Sequence, residues 1–397
     1  MYRRASTLLI CTAASIFIAA YVVAFAYDRP LVEPEGKLLG PSLSWALELF
    51  GVVPTNSVLH AAVLLVDMMI RAGSILVITL AIDLVVRAIG SRALAVVRSW
   101  REGVEQGPRP SIREIAGERW RTHWTRERRR LVLVGMVCFY ITYVCYRNLK
   151  SNLPFVRPDP DRAPGEVKAL LFDRELHVMD RVLFFGHDPS DVLHGIFGTE
   201  YSAYVLSQVY VTFLPLVMIM VVIWLVWSRN VSYGYWFVTS QALAWTLGTL
   251  SYYLLPTLGP GIQYPSEYTD LVPTPTTDLM ESIANGRSAV LYDPTVTDSL
   301  NSVAGFASLH CGITLLWALM VQYTVRSRAL QVVFWVNFGL TVIATIYFGW
   351  HYVADDIAGI AIAIVSFYLG GLASGQKFDR GMHSHPTTTT SKVPVER

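Results

Sequence analysis

The chain has 397 residues, of which 53% are apolar and only 16% charged, and its formal net charge is +2. The apolar residues gather in runs of about 20, the length that crosses roughly 30 Å of hydrocarbon. This excludes a soluble globular protein and predicts an all-α fold, a polytopic membrane helical bundle.

In chain order, spans are expected near 7–26, 59–89, 131–147, 201–227, 233–255, 303–325, 329–350 and 353–373. The first follows Arg3 and Arg4 and ends on Ala24-Phe25-Ala26, as a signal peptide would. Its apolar core exceeds the usual length of about 7–15 residues, which favours an uncleaved anchor. The second span carries Asp67 and Arg71, so it is either broken or longer than the bilayer.

Twelve arginines crowd positions 87–130, together with Trp100, Trp120 and Trp124. Such a segment is expected in the cytoplasm, lying partly on the anionic inner surface. Of the 32 basic residues only five are lysine, a bias that a GC-rich bacterial genome produces. Alternation from there places Arg229, Arg326, Arg328, Lys377 and Arg380 inside. The loop 257–302, with six acids and the lone Arg287, then falls outside. Every connection agrees with the excess of Lys and Arg in cytoplasmic loops.

The outer segment 150–200 is too long for a plain connection. Its stretch 169–185 sets Leu170, Leu171, Leu176, Met179, Val182 and Leu183 beside Asp173, Arg174, Asp180 and Arg181. That pattern predicts a helix lying in the membrane interface. His177, His187 and His194 are irregularly spaced around Asp173, Asp180 and Asp188. They read as interfacial residues, and no metal or cofactor is expected. Cys11, Cys138, Cys145 and Cys311 fall within spans and read as small buried hydrophobes. Three portions result: residues 1–130, two spans and the arginine-rich segment; residues 131–373, a six-span core; and residues 374–397, a low-complexity tail expected to be disordered.

Three stretches reach the outer face. His351 and Asp355 stand four apart, so on one helix they share a face. A carboxylate bonded to one imidazole nitrogen fixes the tautomer and leaves the other nucleophilic. The bland reading is a helix-end histidine satisfied by a nearby acid. Ser308 and His310 stand where the outer loop enters the sixth span, with a hydroxyl and amides for phosphate oxygens and an imidazole for proton transfer. Lys150 and Arg157 flank Pro154, which with Pro158 is expected to end any helix, and can stabilise the charge of a phosphate in transfer. Basic residues that merely grip lipid headgroups are expected on the inner side, whereas these are outside.

KSNLPFVRP (150–158) resembles the K-x6-RP signature of the type 2 phosphatidic acid phosphatase superfamily. Ala307-Ser308-Leu309-His310 resembles its PSGH motif, and Ala344-Thr345 through His351 to Asp355 its SR-x5-H-x3-D motif. Leu309 replaces a glycine and Ala344-Thr345 replaces Ser-Arg, so one phosphate-binding arginine is missing. Both departures are similar to the inositol phosphorylceramide synthase branch, with its S-L-H and A-T-x-Y-x-x-x-H-Y-x-x-D patterns. The resemblance covers about 131–373. It implies that His351 attacks phosphorus and Asp355 orients it. It further implies that His310 serves as general acid and then base, and that Lys150, Arg157 and Ser308 hold phosphate oxygens. Arg287, or else Arg147, is the candidate for the missing arginine.

The expected function is therefore an exoplasmic lipid phosphotransferase of the cell membrane, inositolphosphotransferase-like, passing a group from a lipid phosphate or phosphodiester to a lipid or glycan alcohol. With water as acceptor it becomes a lipid or polyprenyl phosphate phosphatase. Two readings of other classes are a serine protease pairing Ser308 with His351 and a non-catalytic lipid-binding membrane protein. Fold-level likeness does not choose the substrate.

Overall fold

The computed structural model describes residues 2–29, 31–32, 57–102, 111–163, 166–292, 305–378 and 384–386. Among them are thirteen helices. They are α1 (Tyr2–Ala26), α2 (Ser57–Glu102), α3 (Ile112–Thr122), α4 (Arg126–Val156), α5 (Asp173–Leu183), α6 (Pro189–Phe197) and α7 (Tyr201–Trp227). They continue with α8 (Val231–Leu254), the single turn α9 (Pro260–Gln263), α10 (Pro275–Tyr292), α11 (Leu309–Thr324), α12 (Arg328–Tyr347) and α13 (Val353–Ala373). The all-α membrane bundle stands. Six of these helices are long and apolar enough to span a bilayer.

The two expected spans outside those six have physical explanations. Helix α8 packs against α1, α4, α7, α11 and α13 at the centre of the bundle. It meets protein along most of its length, so it carries Thr239, Ser240 and Gln241 fully buried and is less hydropathic than a lipid-facing helix. Helix α11 has only 16 residues, because the chain turns at Ser308 before entering it. The second span is unbroken. At 46 residues α2 is about 70 Å long, well beyond the hydrocarbon thickness. Its Asp67 and Arg71 are 1% and 2% exposed, facing protein rather than lipid.

Helix α1 lays Ala5, Leu9, Ala13, Ile16, Ala20 and Ala24 against the bundle, and its main partners are α4 and α8. Mostly small side chains at three- and four-residue intervals let the backbones approach closely. At one end of the bundle the arginine-rich segment is fastened by specific bonds. Arg119 binds Asp83 through two N–H groups at 2.8 and 2.9 Å, and Trp124 and Trp227 donate to the same carboxylate. Arg128, buried, donates to the Leu225 and Ser228 carbonyls and the Ser228 hydroxyl.

Two expectations are corrected. Pro154 does not end α4, which runs through it to Val156 and closes at Arg157, just before Pro158. The tail is not wholly without structure, since Gln376–Phe378 pairs antiparallel with Ser384–Pro386. Phe378 there packs on Trp236, Tyr323 and Phe367.

Candidate functional site

At the other end of the bundle, short backbone bonds fasten the connecting segments, and one of them joins the second chemical stretch to the third. The Phe172 N–H reaches the Pro256 carbonyl at 2.9 Å, Gly261 reaches Gly349 at 2.7 Å, and Ser308 reaches Asp355 at 2.9 Å. Gly259 has a φ of 92°, and a Cβ there would collide with the Trp350 carbonyl, so glycine is required. Gly312 on α11 and Gly359 on α13 let those helices touch, and a Cβ at Gly359 would strike the Ser308 carbonyl.

His351 and Asp355 do pair, with Nδ1 3.3 Å from Oδ2, but not as two residues on one helix face. His351 lies on the turn before α13, whose N-cap is Tyr352. Asp355 is the third residue of the helix, and its Oδ2 also accepts the Tyr352 N–H at 3.0 Å. The contact is thus a helix-start capping arrangement that catches the preceding histidine. His351 is 6% exposed, and burial is the main reason its pKa is brought down to about 4. Asp356 opposes that shift, Lys150 reinforces it, and a hydrogen bond to the Gly305 backbone opposes it.

The His310 ring stands 6.1 Å from that of His351. It stacks on Tyr210 at 4.3 Å and leans on Phe213 at 4.2 Å, while its Nε2 is buried without a hydrogen-bond partner. Such an atom is costly unless something arrives to satisfy it. Ser308 caps α11 by accepting the Cys311 N–H at 3.4 Å. It also bonds Asp356, and among the described residues no hydrogen bond joins it to His351, which leaves the serine-protease pairing unsupported.

Lys150 sits in the last turns of α4, with Nζ 3.5 Å from the Tyr146 hydroxyl and within 6 Å of the Tyr146 and Tyr252 rings. Its charge bears on His351. Arg157 is not brought to the histidines by any described contact. Its Nε is buried without a hydrogen bond, its N–H closes α4 on the Leu153 carbonyl, and its own carbonyl accepts the Leu170 N–H. Arg287 on α10 has no hydrogen bond or ion pair with a described residue. Burial lowers its pKa, and the charge acting on it is Asp173. Arg147 instead donates to the Tyr143 hydroxyl at 3.2 Å.

Several residues escaped the sequence reading. Asp173, 1% exposed, accepts the Leu258 and Gly259 N–H groups and the Tyr352 hydroxyl, all near 3 Å. It thereby locks the residue next to His351. Burial raises its pKa against those bonds. Asp180 accepts the Val353 N–H at 3.1 Å, and burial pushes its pKa up to about 6. Asp356 receives the Cys311 thiol at 2.9 Å and the Thr345 hydroxyl at 2.9 Å. Cys311 is therefore a donor to a carboxylate and not merely a small hydrophobe. Thr345, where the resemblance expects an arginine, supplies a neutral hydroxyl.

The signal for Asp173 and Asp180 lay in helix α5. Asp173 and Asp180 are buried and Glu175 is exposed, while Val178, Met179, Val182 and Leu183 are exposed. A helix that turns most of its apolar side chains outward and two acids inward has lipid on one side and a polar site on the other.

A multi-pass helical bundle that gathers two histidines and several buried carboxylates at one end is the architecture of a membrane-embedded enzyme. Residues 174–369, just under half of the chain, match the model of the PAP2 superfamily. No curated protein and no solved structure matches the chain. That segment is therefore similar to a PAP2 superfamily domain, which supports phosphatase or phosphotransferase activity of the type 2 phosphatidic acid phosphatase kind. The matched segment holds Ser308, His310, His351 and Asp355 and begins after Lys150 and Arg157.

Proposed function

We propose that this protein transfers a phosphoryl-containing headgroup of a membrane lipid through a phosphohistidine on His351, at the exoplasmic face of a bacterial plasma membrane. The observation that carries this reading is the buried His351–Asp355 pair facing the unpartnered Nε2 of His310, with Lys150 bearing on the same ring. Asp355 accepts the Nδ1 proton, which leaves Nε2 with the lone pair. Nε2 attacks phosphorus as the bond to the leaving oxygen breaks, and His310 protonates that oxygen. In the second half His310 takes the proton of the incoming hydroxyl, the new P–O bond forms, and the P–N bond breaks. Lys150 and Ser308 hold non-bridging oxygens, and Arg157 joins them once an anion draws its unpaired guanidinium inward. Arg287 stands in for the arginine that Thr345 replaces.

The Ser308-Leu309-His310 and Ala344-Thr345-Ile346-Tyr347 patterns favour an alcohol acceptor, in the manner of an inositolphosphotransferase. The test is purified protein with labelled phosphatidic acid, polyprenyl phosphate and phosphatidylinositol, with and without alcohol acceptors. Label appearing in a new phosphodiester supports transfer, and label released only as inorganic phosphate makes the enzyme a phosphatase. An acid-labile, base-stable label on the protein is expected and should vanish in His351→Ala. Turnover in that variant would end the proposal.

A further inference from the structure

His177 on α5, Asp188 just ahead of α6 and Glu267 on the 3₁₀ turn Pro265–Tyr268 converge, each presenting one donor atom within 4.8 Å of the others. The His177 Nδ1 to Asp188 Oδ1 separation is 3.6 Å. Two ligands of a tetrahedral ion with bonds of about 2.1 Å stand about 3.4 Å apart, so this pair already has near-ligand spacing. Asp188 Oδ1 and Glu267 Oε2 are both buried without a hydrogen-bond partner.

A second observation points the same way. Asp180 is 3% exposed, and its Oδ2 takes the Val353 N–H, but its Oδ1 has no partner. Asp180 lines one narrow cavity with His177, Asp188 and Glu267, and His351 and Tyr352 form another part of its wall. The space open to the centre of a water-sized sphere is about 10 Å³, room for a single water or ion. Three carboxylates with buried oxygens that accept no hydrogen bond, around so small a space and with only the His177 imidazole beside one of them, are unfavourable without a cation. Arg181, whose charge reaches Glu267, spends its N–H groups on the Gly186 carbonyl.

We propose that His177, Asp188 and Glu267 form a divalent-cation site, with Asp180 facing the ion across the cavity. One imidazole nitrogen among carboxylate oxygens suits Zn²⁺ or Mn²⁺ better than the all-oxygen ions Ca²⁺ and Mg²⁺. The ion would tie α5, the start of α6 and the 3₁₀ turn together beside His351, and no step of the reaction is routed through it. This departs from the metal-free expectation drawn from the sequence, and it stands independently of the phosphohistidine route.

The test uses the full chain, purified in detergent and freed of metal with a chelator. Zn²⁺ is titrated calorimetrically, and Mn²⁺ is followed by electron paramagnetic resonance. One ion per chain is expected, with nitrogen coupling to Mn²⁺ that disappears in His177→Ala. That variant and Asp188→Asn should bind at least tenfold more weakly, while His187→Ala, a change at an exposed neighbour, binds as the parent does. Should His177→Ala fail to fold, Glu267→Gln on the surface turn carries the same expectation. Absence of saturable binding, or equal affinity in the Glu267 and Asp188 variants, overturns the proposal.

Discussion

Replacing Asp355 with asparagine isolates the charge of the carboxylate from its shape. Oδ2 faces two donors, the His351 Nδ1–H at 3.3 Å and the Tyr352 N–H at 3.0 Å, so the asparagine carbonyl oxygen will take that place. Both bonds survive as neutral ones. A hydrogen bond to a charged group contributes about 1.5–3 kcal/mol and a neutral one about 0.5–1.5. The long His351 bond sits at the weak end of that range, so the charge supplies about 1–1.5 kcal/mol, or roughly 5–12-fold in rate. Asp355→Ala loses orientation as well and should fall at least about 100-fold. The amide group of the asparagine enters the place of Oδ1, which is buried without a partner, so the melting temperature should drop with a cost of about 1–3 kcal/mol. The assay is the single-turnover rate of protein phosphorylation by labelled phosphatidic acid in mixed micelles, with thermal unfolding as the control. A parental rate in Asp355→Asn would show that the carboxylate does not orient the nucleophile. A rate as low as that of His351→Ala would show that it takes the proton itself.

Other expected outcomes follow from the same geometry. His351 must be unprotonated to attack, and burial holds its pKa near 4, so the acid limb that reports the nucleophile should lie near pH 4. A pH–rate profile of the phosphorylation step checks this, and an acid limb at the ordinary imidazole value would contradict the burial. Gly359→Ala drives a methyl group into the Ser308 carbonyl, and the backbone there cannot yield. Despite the better helix propensity of alanine, we expect a net loss of about 1–3 kcal/mol and a large fall in kcat, read by melting and turnover. Arg287→Gln should lower kcat/KM for a lipid phosphate about tenfold or more, with Arg287→Lys recovering part of it, because only the cation is at stake. Arg128→Met, at the opposite end, leaves two carbonyls and a hydroxyl without their donor. It should cost several kcal/mol of stability while the phosphorylation rate of the folded fraction stays parental.

The sequence by itself determined the membrane class and the helical elements, and it singled out His351 and Asp355 as a pair, which the structure does bring together. Run length against bilayer thickness and the four-residue spacing of His351 and Asp355 are local properties, and local physics suffices to read them. It misjudged how that pair meets, because whether a helix begins before or after a histidine depends on a cap that Asp180, 173 residues upstream, helps to hold. It read α8 as one more span, although only the packing of five helices around it explains why a central helix tolerates so many hydroxyls. The tertiary structure alone decided which charges reach His351. Lys150 bears on His351 from the last turns of α4, Arg287 comes under the charge of Asp173 through the seating of α10, and no described contact brings Arg157 to the ring. It alone also brought His177, Asp188 and Glu267 within 4.8 Å of one another, though the last two are 79 positions apart. Electrostatic neighbourhood is a property of distance in space, and a chain folded into a bundle sets that distance with little regard for separation in sequence.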